Sequence, residues 1–464
     1  ITEAVEMAVT SLIPLVLFPV LGILPSEKTA PYYTDHVIFL YFGGFVVALA
    51  IQKWNLHRRI ALHTIKLVGT QPTRLVLGFM IATAFLSMWM SNTACAMMMF
   101  PIGMAVAQQL AGEEGQKPDR RVLDNFGSVL MLAIAYSSSV GGIGTLIGTP
   151  TNLVFSGAAP KLVPGAPEIQ FLKWMAIGVP VVIIFLPICW FYLCRFSSPV
   201  PLTQIQFRAG QHVIDDELRK MGPITSEEKR ILWIWLLMAL LWIFRAPLRL
   251  GAVTIPGWSQ LFAKSAFLHD ATVAMAAGIL LCLIPSTKSK QSGPGQEPER
   301  EYLIDWPTIS KGVPWGVLFL FGGGFALAAG MEATGLSTWL GGVFGKLAGI
   351  PPFLIVLLTC VGVTLLSEIA SNTATAVMAM PILAATAGQV GLHPYLIMIA
   401  GTVAASYGFM LPVATPPNAI VFSSGWISSP QMAKTGFALD LMGVLLVSVL
   451  VYLLVGPVFG ISAY

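Results

Sequence analysis

Apolar residues run along this chain in blocks of about 20, the length of a helix that crosses a bilayer. Short polar connections separate them. The pattern predicts spans near 5–24, 36–52, 126–160, 171–194, 231–248, 266–286, 313–331, 395–428 and 436–457. Two further apolar stretches, 75–110 and 353–390, are interrupted at Ser91-Asn92-Thr93 and Ser371-Asn372-Thr373. They suit re-entrant hairpins that enter the membrane, turn at the motif and leave by the same side. Backbone that leaves the helix at that depth has to be buried in protein or face a watery cavity. Segment 53–70 mixes His57, Arg58, Arg59, His63 and Lys66 with Leu56, Ile60, Leu62, Ile65 and Leu67, the pattern of an interfacial amphipathic helix. Segment 333–349 is its counterpart, with Lys346 as its one basic residue. The longest polar connections are 197–230 and 287–310. The second holds the Gly-, Ser- and Glu-rich run from Ser286 to Glu301, which reads as a flexible linker.

The halves repeat. A register shift of 280 aligns Gly43-Gly44-Phe45 with Gly323-Gly324-Phe325, and Leu86-Ser87 through Pro101-Ile102 with Leu366-Ser367 through Pro381-Ile382. A shift of 266 aligns Thr149-Pro150 and Asn152 with Thr415-Pro416 and Asn418. Chance apolar similarity gives scattered Leu and Ala matches, not three ordered blocks that contain polar residues. By the span count the second copy enters from the opposite side, which makes the repeat inverted. Paired breaks at matching places in two halves point to a transporter binding site.

Composition excludes a soluble protein. The chain is 56% hydrophobic and 10% charged, with a mean hydropathy of +0.78, against roughly 25% charged residues in soluble domains. The net charge of +4 is no sign of nucleic-acid binding, because the basic residues sit in short loops. Loops 51–74, 111–126, 195–230 and 287–312, with Lys434, hold nineteen of the 26 Lys and Arg. That side is cytoplasmic by the positive-inside rule, and the C-terminus falls outside. The five cysteines show no zinc or disulfide spacing and read as buried thiols. The Met97–Met99 cluster and the tryptophans read as packing and interface anchors. The chain starts at Ile1 and enters a span at once, so earlier spans are expected upstream.

The breaks carry the chemistry. A broken helix exposes N–H donors at one half and carbonyls at the other. Asn and Ser oxygens with carbonyls suit a small dehydrated cation; Asn, Thr and N–H donors suit a carboxylate. Pro150, Pro416 and Pro417 stop helix continuation, and Gly141, Gly142, Gly144 and Gly148 permit a tight first break. No Lys or Arg adjoins either motif, so bound cations would supply the positive charge for an anion, and each ligand would favour the other. Small residues can instead serve close packing alone. Glu368, one turn before Ser371, suits a proton or ion path, a structural pairing or a water-facing position. His36, His269-Asp270 and Asp440 are placed at solvated membrane boundaries.

At these residues the chain resembles the divalent anion/sodium symporter family. The stretch Ser406-Tyr407-Gly408-Phe409-Met410-Leu411-Pro412-Val413-Ala414-Thr415-Pro416-Pro417-Asn418 is similar to that family's signature, and the likeness spans essentially the whole chain. The resemblance implies an all-α polytopic membrane protein of two inverted repeats, each with a hairpin and a broken helix, working as a homodimeric elevator in the plasma membrane. It implies Na⁺ as coupling ion at two or more sites: one from Ser87, Ser91, Asn92 and the Gly148 backbone, another from Ser367, Ala370, Asn372 and the Ala414 backbone. Substrate carboxylates would meet Asn92, Thr93, Thr149, Asn372, Thr373, Thr415 and Pro416. The expected division is 1–72 (scaffold and interfacial helix), 73–160 (transport part), 161–312 (connecting spans and cytoplasmic loops), 313–350 (scaffold), 351–430 (transport part) and 431–464 (final span). C4-dicarboxylates such as succinate, malate and fumarate come first as substrates, then citrate and sulfate. An exchanger without Na⁺ and an anion channel are the alternatives. An intramembrane enzyme is disfavoured, because no His or Asp stands near Ser91 or Ser371 as a base.

Overall fold

The computed structural model of the chain describes residues 5–69, 71–111, 123–197, 202, 210–250, 253–290, 299–344 and 349–462. Among these, six helices are long and apolar enough to cross a membrane: Ser26–Lys53, Phe171–Phe196, Trp315–Ala333, Pro352–Ile369, Asn372–Val390 and Ser429–Phe459. Strands occur as two antiparallel pairs in connections, Leu248–Leu250 with Val253–Ile255 and Pro285–Lys290 with Glu299–Tyr302.

The centre is built on two broken helices. Ser128–Gly142 is buried at every position and Pro394–Ala404 at every position after Pro394, so neither needs an amphipathic stripe. Each breaks and resumes as a short helix, Pro150–Leu162 or Pro416–Phe422. Thr149 and Thr415 precede these restarts with nearly the same backbone (φ −139°, ψ 145° and φ −138°, ψ 147°). A proline follows each, at the helix position where a missing N–H costs nothing and a fixed φ helps. The motif stretches form helix–turn–helix units, Pro72–Ser87 with Asn92–Ala111 and Pro352–Ile369 with Asn372–Val390. The arms of the second have 18 and 19 residues, enough to cross by length. The hairpin reading therefore rests on the turn and its packing. Each resumed half-helix packs on the hairpin of the other repeat: Pro150–Leu162 on Asn372–Val390, and Pro416–Phe422 on Asn92–Ala111.

The repeat extends further than residue identities reveal. Helices Phe171–Phe196 and Ser429–Phe459 start 258 positions apart and share only glycine, Gly178 and Gly436, at that shift. A Cβ on Gly178 would strike the Ile143 carbonyl, and one on Gly436 the Phe409 carbonyl. Ile143 and Phe409 are themselves related by the shift of 266. The same helix face is buried in both: Trp174, Ile177, Val181 and Val182 in one, Met432, Thr435, Leu439 and Asp440 in the other.

Several expectations change. The span near 5–24 is two short helices, Met7–Thr10 and Ile13–Val20. The connection 197–230 contains a helix, Gly210–Met221, and a capping box in which Thr225 and Glu228 satisfy each other's backbone N–H. Segment 287–310 begins and continues as paired strands; 291–298 lies outside the described residues. The amphipathic helix is Leu56–Val68, and its charges meet the connection 197–230, with Arg59 on Glu228 at 2.8 Å, Lys66 on Asp215 at 2.6 Å and Arg58 on Glu217. Its counterpart is Leu336–Phe344; Lys346 lies outside the described residues.

Asp270 and Asp440 are not solvated boundary groups; both are buried. Asp270 accepts from Arg245 Nε at 2.5 Å and from the Phe171 N–H at 2.9 Å, fixing where the helix Phe171–Phe196 starts. Arg245 also bonds Glu168 at 2.7 Å, and His36 packs on His269 with ring centres 4.7 Å apart.

Candidate functional site

The two Ser-Asn-Thr turns and the two Thr-Pro restarts meet at one cavity of about 2510 Å³. Its wall includes Ser91, Asn92, Thr93, Thr149, Pro150, Ala370, Ser371, Asn372, Thr373, Ala414, Thr415 and Pro416. Four helices begin at this wall, at Asn92, Pro150, Asn372 and Pro416. Their N-terminal ends bring positive potential to this part of the wall. The charged residues on the wall, Arg58, Glu217 and Lys311, belong to the interfacial helix and the polar connections. This cavity is larger than the roughly 300–1,000 Å³ of a fitted ligand pocket. It is a vestibule whose polar floor is the four tips.

Behind each turn sits the same polar cluster. Ser87 Oγ lies 2.8 Å from Asn92 Oδ1 and 2.6 Å from the Ser138 carbonyl. Ser367 Oγ lies 2.7 Å from Asn372 Oδ1 and 2.7 Å from the Ala405 carbonyl. The inward amide atom of Asn92 also lies 3.1 Å from the Ser138 carbonyl and 3.2 Å from that of Gly148. With nitrogen inward, Asn92 donates to all three oxygens. With oxygen inward, four oxygens converge around a single hydroxyl proton, an arrangement that calls for a cation.

Each break is stapled by an asparagine. Asn152 Nδ2 donates to the carbonyls of Gly142 (3.1 Å) and Thr145 (2.7 Å). Asn418 Nδ2 donates to those of Gly408 (2.8 Å) and Leu411 (3.0 Å). All three members of each set are related by the shift of 266. The unwound backbone thus keeps partners for carbonyls that a helix would have used. Thr151 Oγ1 meets Ser406 Oγ at 2.7 Å and joins the two breaks directly.

The glycines of the first break act through closeness rather than conformational freedom. None of Gly141, Gly142, Gly144 and Gly148 has positive φ. A Cβ on Gly142 would strike Asn92 Oδ1, and one on Gly141 the backbone of Ala84. Gly408 plays the part of Gly142 more loosely, with an added Cβ 3.5 Å from Asn372 Oδ1 and 3.4 Å from Ala414.

The structure therefore brings Ser87, Asn92 and Gly148 into one cluster and Ser367 and Asn372 into another. Thr93, Thr149, Thr373, Thr415 and Pro416 stand on the shared wall. Ser91 caps its own helix, its Oγ accepting from the Ala94 N–H at 3.2 Å. Sequence reasoning missed the Ser138 and Ala405 carbonyls, since a backbone oxygen leaves no residue-type signal. It also passed over Asn152 and Asn418 as site residues, although the shift of 266 pairs them.

A bundle of membrane-length helices with two matched breaks around one polar-floored vestibule defines a multi-pass membrane transporter. The chain belongs to the sodium:sulfate symporter family, whose transmembrane-region model matches residues 1–461. It is 42% identical over 462 residues to the sodium-dependent dicarboxylate transporter SdcS of Staphylococcus saprophyticus, covering all of this chain and 85% of that protein. The SdcS of Staphylococcus aureus strain MRSA252 is 41% identical, with 84% of its length covered. Among solved structures the fold is similar to the Alcanivorax borkumensis YdaH transporter (TM-score 0.57, 12% identity, 97% of this chain and 89% of that one). It is also similar to Neisseria gonorrhoeae MtrF, an antimetabolite efflux pump (TM-score 0.59, 14% identity, 97% and 95%). At such identities these two likenesses speak to fold alone.

Proposed function

We propose that this protein couples Na⁺ entry to uptake of C4-dicarboxylates such as succinate, malate and fumarate. One observation carries the reading: two clusters with the same hydrogen-bond plan stand behind two asparagines that also face one vestibule. The SdcS relatives, named sodium-dependent dicarboxylate transporters, support the choice of ion and substrate.

In this reading one Na⁺ is held by Ser87, Ser91, Asn92 and the Gly148 carbonyl, with the Ser138 carbonyl added. The second is held by Ser367, Ala370, Asn372 and the Ala414 backbone, with the Ala405 carbonyl added. Substrate carboxylates take donors from Asn92, Thr93, Thr149, Asn372, Thr373 and Thr415, with Pro416 shaping the wall. Sodium draws Asn92 Oδ1 inward and turns its Nδ2 toward the substrate, so one carboxamide serves both ligands. That shared group makes each ligand raise the affinity for the other.

The hairpins and broken helices, 73–160 and 351–430, move as one body in an elevator step. Segments 1–72 and 313–350 form the scaffold of a homodimer in the plasma membrane. With loops 51–74, 195–230 and 287–312 cytoplasmic and the C-terminus outside, a vestibule walled by Arg58 and Lys311 opens inward, so the conformation is inward-facing.

Uptake of labelled succinate into proteoliposomes, with and without an inward Na⁺ gradient, tests this. Accumulation driven by Na⁺ and competed by fumarate or malate supports it. Uptake that ignores Na⁺ and needs internal dicarboxylate means an exchanger; transport of citrate or sulfate in place of succinate moves the substrate class. Flux that never saturates means a channel.

A further inference from the structure

The resumed half-helix Pro150–Leu162 belongs to the part proposed to move, yet helices proposed to stay still clasp it. It packs on Trp315–Ala333 and on His36–Lys53. Gly157 lies so close to Phe325 that a Cβ there would strike the ring. One turn on, Lys161 reaches across the same boundary. Its Nζ lies 2.7 Å from Asp35 Oδ2 and 4.1 Å from the centre of the Phe325 ring, and it donates to the Gly157 carbonyl of its own helix at 2.8 Å. Asp35 is fixed from its own side: Oδ1 accepts from the Val37 N–H at 3.0 Å and lies 3.2 Å from His36 Nδ1. The side chains of Lys161 and Asp35 are 21% and 15% exposed, so the pair is partly sheltered from screening.

This contact lies at the end of the molecule away from the vestibule mouth. Asp35 caps the start of His36–Lys53, while Gln52, Asn55 and Arg58 at the other end of that helix line the vestibule. The second repeat differs. Shifts of 280 and 266 place Trp315 and Ile427 at the positions of Asp35 and Lys161, and these two cannot pair as ions. Phe45, related to Phe325, lines the vestibule together with Pro416, Pro417 and Ala419 of the second restart. The cavity thus occupies the place where, in the first repeat, ring and half-helix are packed shut.

We propose that Lys161 and Asp35 form a latch that holds the outer side closed, and that its absence from the second repeat biases the resting protein toward the inward-open conformation. The inference rests on the elevator reading above. For the outer side to open, Pro150–Leu162 must leave Phe325 and His36–Lys53, and the ion pair and the ring contact break with it. Pro150, Val154, Gly157 and Lys161 follow one stripe of that helix, from the vestibule wall to the latch. Opening the latch exposes this stripe to the outside.

Thiol labelling from the outer side reads the bias without relying on uptake. Val154 is 2% exposed, so Val154→Cys places a sealed thiol on the stripe. An impermeant maleimide is added outside cells carrying the full chain, and the protein without that thiol serves as the blank. Lys161→Met and Asp35→Asn should each speed labelling roughly three- to tenfold, the scale of a partly sheltered ion pair with a cation–π contact. The asparagine keeps an acceptor for the Val37 N–H, so the helix start is preserved. Lys161→Arg keeps charge and ring contact and should label like the intact latch, and the double variant should label no faster than either single one. Rates that respond to Na⁺ and succinate but not to Lys161→Met or Asp35→Asn overturn the latch and leave the elevator standing. Additive effects of the two variants, or an Lys161→Arg that behaves like Lys161→Met, also overturn it. A rate that nothing changes removes the elevator and the latch together. Rates that move with the variants but not with Na⁺ and succinate keep the latch and count against the ligands of the proposed function.

Discussion

Ser367 Oγ lies 2.7 Å from Asn372 Oδ1, and Ser87 Oγ lies 2.8 Å from Asn92 Oδ1. The serine ends one hairpin arm in the first repeat and lies in the last turn of that arm in the second, and in both the asparagine opens the next arm, so the contact ties the turn to the cluster behind it. If each asparagine serves ion and substrate together, Asn92→Ala or Asn372→Ala weakens both. Losing hydrogen bonds to charged ligands costs about 1.5–3 kcal/mol, or roughly tenfold and more in affinity. Sodium titrations of uptake at several succinate concentrations read both constants. A variant that weakens one and spares the other ends the shared-ligand idea.

The staples at the breaks predict a stability effect. Asn152→Ala or Asn418→Ala strands two buried carbonyls each, at a cost of about 1–3 kcal/mol per unsatisfied group. Asn418→Asp does worse than Asn418→Ala, since it sets a carboxylate against the Gly408 and Leu411 carbonyls. Thermal unfolding in detergent should rank wild type above alanine above aspartate. Equal midpoints for all three would mean that the breaks hold without their asparagines.

Glycine positions separate by what lies opposite. Gly178→Ala and Gly436→Ala drive a Cβ onto the backbone of Ile143 and Phe409, costing about 1–3 kcal/mol for overpacking. Gly362, on the second hairpin, has open space at its Cβ position, and its alanine variant is expected to fold like wild type. Monodispersity and melting of the three variants check this. Similar behaviour of all three would contradict the close approach of the final helix to the break.

Acid should loosen the ion cluster of Glu168, Arg245 and Asp270 in a defined window. Burial pushes the Glu168 carboxyl up, but hydrogen bonding from His269 and the charge of Arg245 overcome it and hold the group at about 2, below its ordinary 4.5. A depressed carboxyl stabilises the fold above its ordinary value and loses that contribution as pH falls toward about 2. Melting curves across that window should decline more steeply for wild type than for Glu168→Gln. An unchanged acid slope in the variant would remove Glu168 from the account.

Much of the site was legible because polar residues in apolar runs are costly and so conspicuous. Ser-Asn-Thr and Thr-Pro stood out against their surroundings, and two register shifts located both turns and both restarts. Asp440 and Asp270 were misplaced because position in a span was read as depth, while helix Ser429–Phe459 runs to 31 residues and carries Asp440 inside the protein. The charges of Leu56–Val68 were legible as an amphipathic face, but their partners Asp215 and Glu217 on Gly210–Met221 lie 149 and 159 residues away and leave no local trace.

The sequence by itself determined the membrane class, the helical spans, the places where two helices break, and the pairing of those breaks between halves. These follow from local chemistry: apolar length, proline and glycine, and the cost of a polar group in lipid. Tertiary structure alone decided that both turns and both restarts share one vestibule, and that backbone carbonyls from Ser138 and Ala405 complete the clusters. It alone buried Asp270 and Asp440 inside the protein. Those relationships join residues distant in sequence through packing, where geometry rather than residue type selects the partner.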